Sequence, residues 1–129
     1  MRLWHYQLIP YLDRQRLLGQ WHECCLIAKN IKELGTPNHI LVNKIMDYPI
    51  GEFITYGMIV EYEMRSRGYK VDKNKFLKYF DADTVVNIRE NHIFEGWHNE
   101  RYLTICFWNL YEKYWVGGMT NDEWKKILS

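Results

Sequence analysis

The amino-terminal part of this 129-residue chain carries two groups able to react together, the α-amine of Met1 and the carboxylate of Glu23. Leu17, Leu18, Trp21, Cys24, Cys25, Ala28 and Ile31 recur at helical spacing and form one apolar stripe. Glu23 lies off that stripe. At about 100° per residue it shares the far side with Arg16, Gly19, Leu26, Ile27 and Asn30. Gly19, one turn earlier, has no side chain, so a gap opens beside the carboxylate, and the segment expected to fill it is the one that begins at Met1. A neutral primary amine attacks an electrophilic carbon and leaves an imine. An α-amine suits this step because its ordinary pKa of about 7.7–8.0 leaves an appreciable fraction neutral near pH 7. A carboxylate beside it stabilises the developing positive charge and moves a proton.

The order Leu12, Gln15, Leu17, Trp21, Glu23 resembles the first helix of the pyrimidine-dimer DNA glycosylases of the bacteriophage endonuclease V type, which places an aromatic residue two positions before its catalytic Glu. Glu63, Met64, Arg65, Ser66, Arg67, Gly68, Tyr69 is similar to that family's Arg-Gly-aromatic exit from its second long helix. The run Tyr111, Glu112, Lys113, Tyr114, Trp115 is similar in character to its Tyr-rich tail. The resemblance implies an all-α fold with the amino-terminal segment packed between helices. It also implies a base-excision repair enzyme, a DNA glycosylase with abasic-site (β-elimination) lyase activity, that uses neither metal nor cofactor. Its partner would be double-stranded DNA with damaged or abasic sites. In that scheme the amine attacks the anomeric carbon and displaces the base, while Glu23 is the electrostatic partner and proton shuttle. The family removes its initiator Met to expose a small residue. Here the bulk of Arg2 should prevent removal, so Met1 is the expected nucleophile and Arg2 takes the place of the basic residue that follows it. The segment before Glu23 is then one residue longer, an insertion that a loop near residues 7–10 would absorb. His22 and Leu26 replace two family arginines, and Arg16 stands where the family has a His.

Arg2, Arg16 and His22 are therefore candidate DNA contacts. The densest basic stretch, Arg65, Arg67, Lys70, Lys73, Lys75 and Lys78, contains the single acid Asp72 and is the first choice for phosphate contact. Smaller groups are Lys29, Lys32 and Lys44, and Lys113, Lys125 and Lys126. Tyr111, Tyr114 and Trp115 are candidates for packing against a distorted strand from which a nucleotide has been extruded. Phe107 and Trp108 read as core. Two bland alternatives stand beside these assignments: basic stretches on helices are often only solvated faces, and Arg2 is equally a flexible surface charge. A net charge of +1 and a pI near 7.7 are modest for a DNA enzyme, so the cations have to cluster to grip phosphate.

A chain of 129 residues with 47% hydrophobic content fits one domain, residues 1–129, expected to be a monomer. Six Trp, ten Tyr and five Phe suit either an aromatic-lined groove or a compact core of large rings. No apolar run reaches membrane-spanning length and the first residues are unlike a signal peptide, so a cytoplasmic protein with no membrane partner is expected. Three cysteines, Cys24 and Cys25 adjacent, provide no disulfide framework, and Cys106 reads as a small buried residue. The five histidines lack the paired spacing of a metal-binding helix.

These groups must be held by helices. The first is expected over residues 13–34, with Asp13 as a cap and Gly35 as its stop, and the second over 50–67, closed by Gly68. A short apolar stretch lies at 40–46, a short helix capped by Asp72 reaches 80, and 81–96 is unassigned. A third long helix covers 99–114, carrying Leu103, Phe107, Leu110, Tyr111 and Tyr114 at helical spacing, and Thr120 with Glu123 forms a capping box for a last short one. Three readings follow: a repair glycosylase, a non-catalytic helical module that binds nucleic acid or protein, and a divergent enzyme applying the amine and acid to another sugar or aldehyde.

Overall fold

The computed structural model describes residues 1–86 and 92–129, and every regular element among them is helical. A 3-10 helix at Tyr6–Tyr11 precedes α1 (Arg14–Leu34), and a second at Asn43–Asp47 precedes α2 (Ile50–Ser66). Next come α3 (Asn74–Leu77), α4 (Ala82–Val86), α5 (Glu100–Trp115) and α6 (Asn121–Leu128). The all-α expectation holds. Residues 87–91, within the stretch the sequence leaves unassigned, lie outside the described residues.

Local chemistry sets most helix ends. Gly35 (φ +76°) closes α1 in the left-handed conformation, and Gly68 (φ +84°) does the same just beyond α2. The Asn99 side chain accepts the Tyr102 N–H at 2.9 Å to start α5. Thr120 and Glu123 exchange side-chain and backbone hydrogen bonds at 2.8 and 3.1 Å to start α6. Asp72 accepts the Asn74 N–H at 2.9 Å, but the helix it introduces ends at Leu77 and does not reach 80. Asp13 occupies the N-cap of α1 without capping it: Oδ2 is held by Arg16 at 3.0 Å, and Oδ1 is buried with no partner among the described residues.

The core gathers around α1 and α2. Leu17, Trp21, Cys24 and Ala28 are buried along the expected stripe of α1, yet Ile27 and Gln20 are buried as well. The helix is covered on more than one side because residues 1–5, extended ahead of the first 3-10 helix, lie along the flank that carries Gln20 and Glu23. Much of the aromatic content goes into the core. Phe53, Tyr56, Phe76 and Phe94 are fully buried, and the Phe53, Phe76 and Phe80 rings meet edge to face. Cys106 is buried as expected. Trp108 is not: it is 57% exposed, since two residues around the helix turn it away from the buried side marked by Cys106 and Leu110. Phe107 is half-buried against Trp124. No described helix is long and apolar enough to cross a membrane.

Gly57 of α2 lets the Phe76 ring of α3 lie directly on the helix backbone, where a Cβ would fall inside the ring's van der Waals surface. Gly57→Ala should therefore destabilise the protein by about 1–3 kcal/mol through overpacking, measured as a lower midpoint of chemical denaturation, although alanine is the better helix former.

Candidate active site

The amino-terminal segment is extended and has no strand to pair with, so its backbone groups are taken up by side chains from three directions. From α1, the Gln20 carboxamide accepts the Trp4 N–H at 2.7 Å and donates to the Arg2 carbonyl at 3.0 Å. From α2, the Tyr56 hydroxyl lies 2.5 Å from the Trp4 carbonyl and 2.9 Å from Gln20 Oε1, its one proton shared between them. From α5, the Tyr102 hydroxyl donates to the Leu3 carbonyl at 2.6 Å. The Tyr6 N–H, at the start of the 3-10 helix, donates to His98 Nδ1 at 3.1 Å. The Leu3 side chain is fully buried and serves as the apolar anchor. Burial raises the Tyr56 and Tyr102 hydroxyl pKa values above the ordinary phenol value, so both remain protonated donors.

Glu23 lies at the end of this arrangement. Its Oε2 accepts the Arg2 N–H at 3.3 Å and Gln20 Nε2 at 3.2 Å. Among the described residues, no ion pair within 4.0 Å joins it to the Met1 amine. Met1, Arg2, Gly19, Gln20 and Glu23 all line one open cavity of about 380 Å³, together with Leu41 and with Asn109 and Lys113 of α5. A Cβ built at Gly19 meets nothing within 4 Å, so the expected gap exists but the amino-terminal segment does not fill it at Gly19: that segment bonds to Gln20 and Glu23 instead, and the space stays open within this cavity. The Arg2 guanidinium sits over Trp4 at 5.5 Å. Met1, Arg2, Arg16 and Lys113 thus share the cavity with a single acid, Glu23, a composition suited to an anionic ligand.

The other candidate contacts are dispersed. Arg16 borders the cavity, but its guanidinium is held by Asp13 at 3.0 Å and by the Gly118 carbonyl at 2.9 Å, tying α1 to the turn between α5 and α6. His22 and Leu26 are exposed on α1 outside the cavity. Arg65 pairs with Glu61 at 3.0 Å, and Arg67 pairs with Glu63 at 2.7 Å and reaches the Pro10 carbonyl at 3.1 Å. Lys70 and Lys73 are exposed. Arg65 and Lys73 border a different groove, beside Tyr62, which shares no residue with the Met1–Glu23 cavity. Tyr114 is stacked on Trp124 at 5.3 Å and donates to Asn121, so it joins α5 to α6, whereas Trp115 is 75% exposed. Among the described residues, no group of three or more His, Cys, Asp or Glu is placed to hold a metal ion.

Residues 1–77 match the family model described as pyrimidine dimer DNA glycosylase. The chain belongs to that family. No curated protein and no solved structure matches it. Membership in the pyrimidine dimer DNA glycosylase family supports a role as a DNA repair glycosylase and implies DNA as the substrate. The matched part contains Met1, Gln20, Glu23 and Tyr56, while His98, Tyr102, Asn109 and Lys113 lie beyond it.

Sequence reasoning passed over Gln20, Tyr56, Tyr102 and Asn109. Gln20 carried one visible signal, a lone amide one turn before Glu23 in an otherwise apolar run. The two tyrosines carried none among ten.

His98 couples the segment to pH. Burial, and secondarily the nearby His5 ring at 5.1 Å, lowers its pKa from the ordinary 6.5 to about 3. Nδ1 accepts from Tyr6, which puts the proton on Nε2, a buried atom with no partner among the described residues. Because the folded state prefers the neutral ring, this contribution to stability is complete above pH 6.5 and is lost progressively as pH falls from 6.5 toward 3. Denaturation midpoints taken between pH 7.5 and 4 should fall with acidity, and more gently in His98→Phe.

Proposed function

We propose that this protein is a DNA glycosylase with abasic-site lyase activity on pyrimidine dimers or a related lesion, with the Met1 amine as nucleophile and Glu23 as electrostatic partner and proton shuttle. The observation that supports it most is the shared cavity, which Met1 and Glu23 both line, with the Arg2 N–H 3.3 Å from Glu23 Oε2. Family membership supplies the DNA substrate.

The neutral amine attacks C1′ of the damaged nucleotide, forming a C–N bond as the glycosidic bond breaks and the base leaves with its electron pair. The C1′–O4′ bond then breaks as the attacking nitrogen gives up one proton and O4′ takes one up, which leaves an iminium at C1′ of the open-chain sugar. Ionised Glu23 stabilises the cationic carbon during both stages. A C2′ proton is then removed, the electrons form the C2′–C3′ double bond, and the 3′ phosphate departs. Glu23 takes that proton in this scheme. Water finally hydrolyses the imine and regenerates the amine. Arg2 and Lys113, which line the same cavity, are the cations available to the phosphates that flank the reacting sugar in this scheme.

Borohydride added to the protein with duplex DNA bearing an abasic site should reduce the iminium to a stable amine, and peptide mapping should find the DNA on Met1. Glu23→Gln should slow strand cleavage by about 10²–10⁴-fold, and acetylation of the terminus should abolish trapping. An adduct on an internal lysine, or a Glu23→Gln protein as active as the parent, would remove this assignment.

A further inference from the structure

We infer that Gln20 is the positioning residue of this site, its side-chain amide setting where the amine-bearing segment stands relative to the Glu23 carboxylate. The inference rests on the reaction assigned above and adds a residue to it.

A carboxamide offers two acceptor positions on oxygen and two hydrogens on nitrogen. Gln20, 1% exposed, uses all four. Oε1 receives the Trp4 N–H at 2.7 Å and lies 2.9 Å from the Tyr56 hydroxyl, and Nε2 donates to the Arg2 carbonyl at 3.0 Å and to Glu23 Oε2 at 3.2 Å. The reverse orientation would set Nε2 hydrogens against the Trp4 N–H, donor on donor, so the network admits one orientation only. One rigid plane therefore touches the acid and the chain that carries the amine.

The consequence for Met1 follows from peptide geometry. The Arg2 N–H, in the Met1–Arg2 peptide, is fixed on Glu23, and the Arg2 carbonyl, in the Arg2–Leu3 peptide, is fixed by Gln20, so the two planes that meet at the Arg2 Cα are each held by one bond. Rotation about the Met1 Cα–C bond is then the one backbone freedom left between the Met1–Arg2 plane and the amine. Without the Nε2 donors the Arg2–Leu3 plane is released at its carbonyl, and Glu23, the group that holds the Met1–Arg2 plane, loses one of its two hydrogen bonds, while the residues that line the cavity stay the same.

The test compares Gln20→Met, which keeps volume and loses all four bonds, with Gln20→Glu, which keeps the acceptors and puts a second carboxyl beside Glu23. Tyr56→Phe removes a hydroxyl from the same clamp but leaves both Nε2 bonds intact. Each is assayed by single-turnover borohydride trapping on abasic-site duplex at saturating protein, with DNA affinity and Tm measured alongside. Gln20→Met should lower the saturated rate by about tenfold to 10²-fold, the scale of a misplacement near 1 Å, with DNA affinity within about threefold. Tyr56→Phe should lower Tm with a smaller loss of rate. Gln20→Glu should move the acid limb of the rate–pH profile upward by about one pH unit, because adjacent carboxyls share a proton, and this readout decides the matter if Gln20→Met fails to fold. Parental saturated rates and an unmoved profile in Gln20 variants of lowered Tm would overturn the inference and leave Gln20 a packing residue. A wild-type protein that forms no adduct through Met1 would instead remove the reaction assignment, and this inference with it.

Discussion

A buried extended backbone has to find hydrogen-bond partners outside itself, and residues 2–6 of this protein find theirs in side chains. Gln20, Tyr56, Tyr102 and His98 each take up a group of that segment. The fully buried Leu3 side chain adds an apolar anchor to these bonds, and the Arg2 N–H reaches Glu23 at 3.3 Å.

The segment also explains the mixed character of α1. A helix that buried only one stripe would leave Gln20 and Ile27 wet, and here both are covered. Covering them is tolerable because the amide finds all four partners. A buried amide with one partner missing would carry a desolvation cost of about 1–3 kcal/mol. Charge is distributed on the same economical plan. Arg16, Arg65 and Arg67 neutralise acids within the fold, so the modest net charge of +1 does not describe the cavity, where Arg2 and Lys113 flank one carboxylate.

What could be read from the sequence was local. Gly35, Gly68 and the Thr120–Glu123 box announce helix ends because their chemistry acts within a few residues, and Glu23 stands out because its place on α1 breaks a periodicity. The open space at Gly19 was legible for the same reason. Asp13 misled because a residue one turn on, Arg16, competes for the carboxylate. Trp108 misled because bulk suggests a core while its angular position on α5 points outward. Beyond Gln20, the clamp itself left no trace. Bonds from Tyr102 to Leu3 and from His98 to Tyr6 span more than ninety residues, and a hydroxyl or imidazole that meets a backbone group has no spacing rule to betray it.

Two of the groups that hold the segment, His98 and Tyr102, belong to the last third of the chain, outside the residues matched to the family. During synthesis the ribosome makes Leu3 and Tyr6 long before it makes either of them. Water must therefore serve the Leu3 carbonyl and the Tyr6 N–H until residue 102 exists, so the full set of contacts on the part of the protein that is born first cannot close before the last third is made.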